Sequence, residues 1–428
     1  MPDNAQQLVA VGLFLAAYVL IVTDKVHRTI VALFAGFLIV ALGIVPQHAA
    51  LAHIDLNVIF LLAGMMVIAN VIARSGFFRW LAVRIVRLTK ADPYRLLVAL
   101  ALVSTLVSAL LDNVTAVVLL APIAFSVAER RGMSALPLLI SIVLASNIGG
   151  TATLIGDPPN IIIGSAFGKD FVAFLLHTAP AALASLLAYL LMARRLFRAD
   201  LRAAALSAEE LRQMTRLDES VVDRTLASRS LVVLAATIVL FLFARPLGLE
   251  GATIALLGAS AVLLVSRIEV HDVLAQVEWP TLFFFVGLFV LVGALVDTGV
   301  VGALAGAVLA ITAGRPEITA LAVLWLSALL SAIVDNIPYT ATMVPLLQEL
   351  ARQGLPIEPS VWALALGAGL GGNATLIGAS ANVVVASMSE ARGEPIAFLG
   401  FLRYGLPVTG LTIAIATVDL ALRYFLFR

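Results

Sequence analysis

Two pairs of short stretches place carboxylates, amides and hydroxyls inside otherwise apolar sequence. They are DNVTAVVLLAPI at 112–123 with SNIGGTATLIGDPPNII at 146–162, and DNIPYTATMVPLL at 335–347 with GGNATLIGASANVV at 371–384. The second stretch also gathers three glycines and two adjacent prolines where a helix is expected. Backbone freed from helical bonding is costly in lipid and survives only where protein or a watery cavity surrounds it, so these breakers mark a cavity. An ionisable residue inside a bilayer is a functional candidate by default, which singles out Asp112 and Asp335 as carriers of a proton or small cation. Both can also act as N-caps for the segments that follow them, and one residue can cap and bind. Asp157 is the weaker candidate: it directly precedes Pro158 and Pro159, as an N-cap followed by proline does, and its repeat partner is Ala379.

Other chemistries find little support. The absence of cysteine removes disulfides, thiolate metal sites, iron-sulfur clusters and thiol catalysis. GSAFGKD at 164–170 has the wrong spacing for a phosphate loop and Asp170 where Ser or Thr is required, so ATP hydrolysis is not expected. The five histidines, at 27, 48, 53, 177 and 271, lie near expected helix ends without HExxH spacing and are read as interfacial. An aspartyl protease with two membrane aspartates sharing a proton would want GxGD, whereas these sit in SALLDN and SAIVDN. No enzyme activity, cofactor, resident metal or nucleic-acid partner is expected.

The elements that position these residues follow from composition. A mean hydropathy of +1.08 with 12% charged residues lies far from the quarter charged that is usual for soluble chains, so lipid is the solvent. Apolar stretches of about 20 residues fit helices and not alternating barrel strands. Spans are read near 6–22, 28–45 and 55–73, then an amphipathic arginine-rich stretch at 77–90 that fits a snorkelling, interfacial helix. MPDNAQQ carries no basic leader, so the first helix is expected to be retained.

The chain is duplicated. GMMVIANVIARSG from Gly64 aligns with GLFVLVGALVDTG from Gly287, and SALLDN from Ser108 with SAIVDN from Ser331; GGTATLIGDPPNIII from Gly149 aligns with GGNATLIGASANVVV from Gly371. Repeat 1 covers 1–193, with a hairpin at 95–128 and a broken helix at 135–166. Repeat 2 covers 230–428, with a hairpin at 316–352 and a broken helix at 360–388. Residues 194–229, with eight arginines and a Ser207-to-Glu210 capping box, form a polar linker. Each repeat has about five crossings besides the hairpin arms, and an odd number makes the halves inverted. The Lys and Arg excess at 23–29, 74–95, 129–134 and the linker then places that side in the cytoplasm and both termini outside. The expected fold is an all-α polytopic bundle of two inverted repeats, an architecture of secondary transporters.

With these motifs the sequence resembles the ion transporter superfamily of ArsB arsenite permeases, NhaD-type sodium/proton antiporters and the P protein, with dicarboxylate/sodium symporters more distant. Length and the compact duplicated core look most like ArsB. The resemblance implies a scaffold domain and an elevator-type transport domain in a bacterial inner membrane. It also implies export of As(OH)3 or Sb(OH)3 in exchange for protons, with a sodium/proton antiporter or an anion transporter as alternatives. A homodimer and an associated ATPase subunit are family features only. Carried onto this chain, substrate would meet Asn113 and Thr115 at the first hairpin tip, with Asn147, Thr151 and Thr153 in the first broken helix. Asn336, Thr340, Asn373 and Thr375 would face it from the second half. Such amides and hydroxyls suit a compact polar solute because they both donate and accept. Asn160 and Asn382, present in both halves, can instead pin the second half-helix.

Overall fold

The computed structural model describes residues 3–23, 25–90, 92–198, 201 and 223–426. Residues 199–200 and 202–222 of the central linker, including the Ser207 to Glu210 capping box, lie outside the described residues. Everything described is helix, turn or coil, without a strand. Among the described residues, eight helices are long and apolar enough to cross a membrane, or up to ten if each of two sharply bent pairs is one span.

The helices sort into two groups by what they pack against. The frame group contains Arg28–Ala41, Leu56–Arg74, Arg224–Leu242, Gly251–Ser266 and Trp279–Asp297, with Asp3–Thr23 alongside. Within it Leu56–Arg74 lies on Gly251–Ser266, and Arg28–Ala41 lies on Trp279–Asp297. Glycine permits both approaches. A Cβ on Gly64 would sit 2.7 Å from the Ala255 carbonyl carbon, and one on Gly287 would sit 2.4 Å from that of Ala32. Two hydrogen bonds repeat the same exchange: Thr29 Oγ1 donates to Pro280 O at 2.7 Å, and Ala252 N donates to Asn57 Oδ1 at 2.8 Å. Each residue of one pair aligns with one of the other at the repeat offset, so a pseudo-two-fold axis relates the halves.

The hairpin group holds the polar motifs. Its first half comprises Pro93–Leu110 and Asn113–Arg131, followed by a helix broken into Leu136–Thr151 and Pro158–Phe167. Asp92 caps the first arm by accepting from Arg95 N at 2.8 Å with Pro93 at the first helical position, and Gly132 in the left-handed region (φ 60°) ends the second. Ser104, Thr105 and Ser108 donate to the carbonyls of Ile142, Ala145 and Ser146, in ascending order on both helices. Pro93–Leu110 and Leu136–Thr151 therefore run parallel, with the intervening arm returning between them. The second half repeats this with Pro316–Ile333, Asn336–Arg352, Glu358–Gly371 and Ser380–Glu390. The arginine-rich Phe77–Thr89 is a separate helix packed on the first hairpin, and Val300–Thr312 is its counterpart in the second half.

Candidate functional site

Both hairpin tips meet the break of the first broken helix. Asp157 holds the N-cap position of Pro158–Phe167, yet its side chain makes no capping hydrogen bond. It turns inward, 1% exposed. Asn113 Nδ2 donates to its Oδ1 at 3.3 Å, and Asn336 Nδ2 lies 3.3 Å from Oδ1 and 3.1 Å from Oδ2. One carboxylate thus joins the two tips and the break, a centrality that Ala379 cannot reproduce in the second half.

Beside it lies a cavity of about 80 Å3, lined by Asp112, Asn113, Thr115, Asp157 and Asn336, with Arg28, Asn70, Glu278 and Ser380. Asp112 caps its own helix, accepting from Thr115 N at 2.7 Å and Thr115 Oγ1 at 2.5 Å, so capping and cavity lining coincide in one residue. Asp335 accepts from Ile337 N at 3.0 Å, and its other oxygen takes Arg28 Nη1 at 3.2 Å and Ser380 Oγ at 2.8 Å. The buried Nδ2 of Asn70 has no hydrogen-bond partner.

Behind this first layer the remaining amides form a hub. Asn113 Nδ2 also reaches Asn147 Oδ1 at 3.3 Å, and Asn147 Nδ2 donates to Asn373 Oδ1 and Asn382 Oδ1, both at 2.9 Å. Asn373 Nδ2 donates to Leu144 O at 3.2 Å. Asn147 and Asn373 thereby tie the two broken helices together. Asn160 and Asn382 pin the breaks: each Nδ2 reaches a loop carbonyl at 2.8 Å, that of Thr153 and Thr375 respectively. Thr153 and Thr375 in turn donate to Ala109 O and Ala332 O, both at 2.5 Å, fastening each break to its hairpin. Thr151 donates to Asn147 O within its helix, and Thr340 Oγ1 is buried without a partner. None of these four threonines lines the cavity.

The structure thus brings the polar segments together, with Asp112, Asn113, Thr115, Asp157 and Asn336 at the cavity and Asn147, Thr151, Thr153, Thr340, Asn373 and Thr375 outside its lining, a separation the sequence does not make. Sequence reasoning also passed over Arg28, Asn70, Glu278 and Ser380. Asn70 carried a usable signal, a lone amide in the apolar run GMMVIANVIA. Arg28 counted only as one more basic residue of a loop. Of the histidines, His53 and His177 lie at helix ends; His53 Nε2 is 3.0 Å from Asp297 Oδ2, and His177 stacks on Trp362 with centroids 4.4 Å apart.

Inverted repeats that close a polar cavity around broken helices define a membrane transporter. The comparisons make the class specific. The family model described as "Citrate transporter" matches residues 18–367, and the chain belongs to this family, within the superfamily its motifs resemble. It is 44% identical over 428 residues to an uncharacterized transporter of Mycobacterium tuberculosis (strain ATCC 25618 / H37Rv), covering 98% of this chain and 99% of that relative. It is 32% identical to the P protein of Homo sapiens, covering 95% of this chain and 58% of that longer protein. Among solved structures it is similar in fold to the Alcanivorax borkumensis YdaH transporter, with a TM-score of 0.63, 16% identity and coverage of 97% of this chain and 98% of that one.

Proposed function

We propose that the chain is a proton-coupled secondary transporter that exports a compact neutral hydroxide, As(OH)3 or Sb(OH)3, in exchange for protons. The observation that carries this reading is the charge of the central cavity. Asp112, Asp157 and Glu278 line it against the single guanidinium of Arg28, which is already paired with Asp335. A buried charge is expensive unless something neutralises it, so surplus carboxylates favour occupation by a proton or small cation. The surplus acid repels carboxylate-bearing metabolites and leaves a small neutral hydroxide as the better-matched cargo. The unpartnered Nδ2 of Asn70 offers a donor to a hydroxyl oxygen, while the carboxylates offer acceptors.

In this reading cargo binds from the cytoplasm, and protonation of Asp157 or Asp112 from outside promotes release and return. The hairpin group slides against the frame group, which the resemblance would also make the dimer interface. A Na+/H+ antiporter is the rival, favoured by the same surplus of carboxylate oxygens.

Everted vesicles energised with a proton gradient test the two in parallel. Arsenite accumulation that collapses with an uncoupler, and in Asp157→Asn and Asp112→Asn variants that still insert and fold, supports the proposal. Full proton-driven uptake in both variants overturns the coupling role. Proton release on adding Na+, without arsenite uptake, transfers the protein to the sodium reading.

A further inference from the structure

The duplicated hairpins carry matching aspartates, but the two are not electrically equivalent. Asp335 meets Arg28, held at 3.2 Å on the neighbouring frame helix. Arg28 is fixed from three sides: it also donates to Ser380 Oγ at 2.9 Å and lies over the Phe284 ring at 5.4 Å. The paired contacts Thr29 to Pro280 and Ala252 to Asn57 set the repeat offset at this part of the frame. At that offset the counterpart of Arg28 is Gly251, which has no side chain. The counterpart of Ser380 is Pro158, which has no donor. Accordingly, among the described residues no Lys or Arg pairs with Asp112, whose oxygens turn to Thr115.

We infer that Arg28 is a built-in cation for the second-half hairpin: it permanently fills the place a mobile cation would take beside Asp335, leaving only the Asp112 and Asp157 side of the cavity for mobile charge. Duplication creates two equivalent acidic tips, and a guanidinium supplied by one frame helix makes them unequal. The transporter then has one mobile-cation site instead of two. The inference rests on the cation-coupled reading for its consequence in transport. Its chemical core, that Asp335 depends on Arg28 for its countercharge, stands separately.

The test uses the purified full chain in detergent and needs no cargo. The charged and titratable groups around Asp335 are Arg28, Glu278, Asp112 and Asp157, lining the adjoining cavity from the frame and hairpin helices. Thermal unfolding is measured near pH 6 and pH 8, with and without Na+, for wild type, R28K, R28Q and R28Q/D335N. Without Arg28 the Asp335 carboxylate is stable in the fold only with a proton or cation on it. Its stabilising contribution is therefore present in acid and lost as pH rises.

R28Q is expected to lose roughly 5 °C of Tm at pH 8 relative to wild type. The loss should be recovered at pH 6 or by Na+. R28K should follow wild type, and R28Q/D335N should show neither the loss nor the new dependence on pH and Na+. An R28Q protein with wild-type dependence on both overturns the inference, as does a double variant that keeps the dependence of the single one. Should R28Q not purify folded, recovery of a stable protein in the double variant supports the countercharge role, and failure of both overturns it. Because no flux is measured, a failed arsenite assay and a failed Arg28 test remain distinguishable.

Discussion

Single side chains in this protein divide by what they face. Asp157 offers its carboxylate to two hairpin tips and the cavity, while Asn160, three residues on, spends its amide nitrogen on the carbonyls of Gly150, Thr151 and Thr153. The two should separate in experiment. Asn160→Ala strands buried carbonyls and is expected to cost about 1–3 kcal/mol. Its effect should appear in thermal unfolding, with the proton dependence of whatever transport remains unchanged. Asp157→Asn keeps an acceptor for the tips, so unfolding should move far less while proton coupling is lost. An Asn160→Ala protein of wild-type stability would contradict the pinning role.

At the scale of elements, close packing of the hairpin on its broken helix is what presents the tips. A Cβ on Gly149 would lie 2.3 Å from Thr105 O, and one on Gly371 would lie 2.5 Å from Ala328 Cα. Backbone on the receiving side cannot rotate away as a side chain can, so Gly149→Ala or Gly371→Ala must part the two helices. Overpacking of this kind costs about 1–3 kcal/mol. Gly12, with nothing within 4 Å of a new Cβ, is the control, and Ala there should be neutral or slightly stabilising. Melting of the three purified variants would show the contrast, and equal behaviour would refute the packing argument.

At the scale of the whole molecule, few polar contacts join the frame to the hairpin group. Asn57 Nδ2 reaches Ser165 Oγ at 3.1 Å, Arg28 reaches Asp335 and Ser380, and Tyr18 Oη meets Pro338 O and Thr342 Oγ1. If the groups slide during transport, these contacts must break together. The chain has no cysteine, so introduced thiols are the only ones present. Asn57→Cys with Ser165→Cys, joined by a short thiol cross-linker, should stop transport by more than tenfold, with recovery when a cleavable linker is cut. Undiminished transport by the cross-linked protein would argue against sliding at this boundary.

The sequence by itself determined the helical membrane class, the duplication and the polar segments that the structure gathers around the cavity. Hydropathy and helix breakers act over a few residues, and a repeat is visible as aligned letters. It also pointed to Asp112 and Asp335 because they are duplicated, and for the same reason ranked Asp157 lower. Which of these residues share a cavity was decided only in three dimensions. Asp157 meets Asn336 across 179 positions and Arg28 meets Asp335 across 307. Such pairs leave no local pattern, since each is set by how the frame and both hairpins pack. The local signals at 157 and 28, a proline-flanked cap and a basic loop, describe the backbone nearby, whereas the chemistry of both side chains is defined by partners from the other half of the chain.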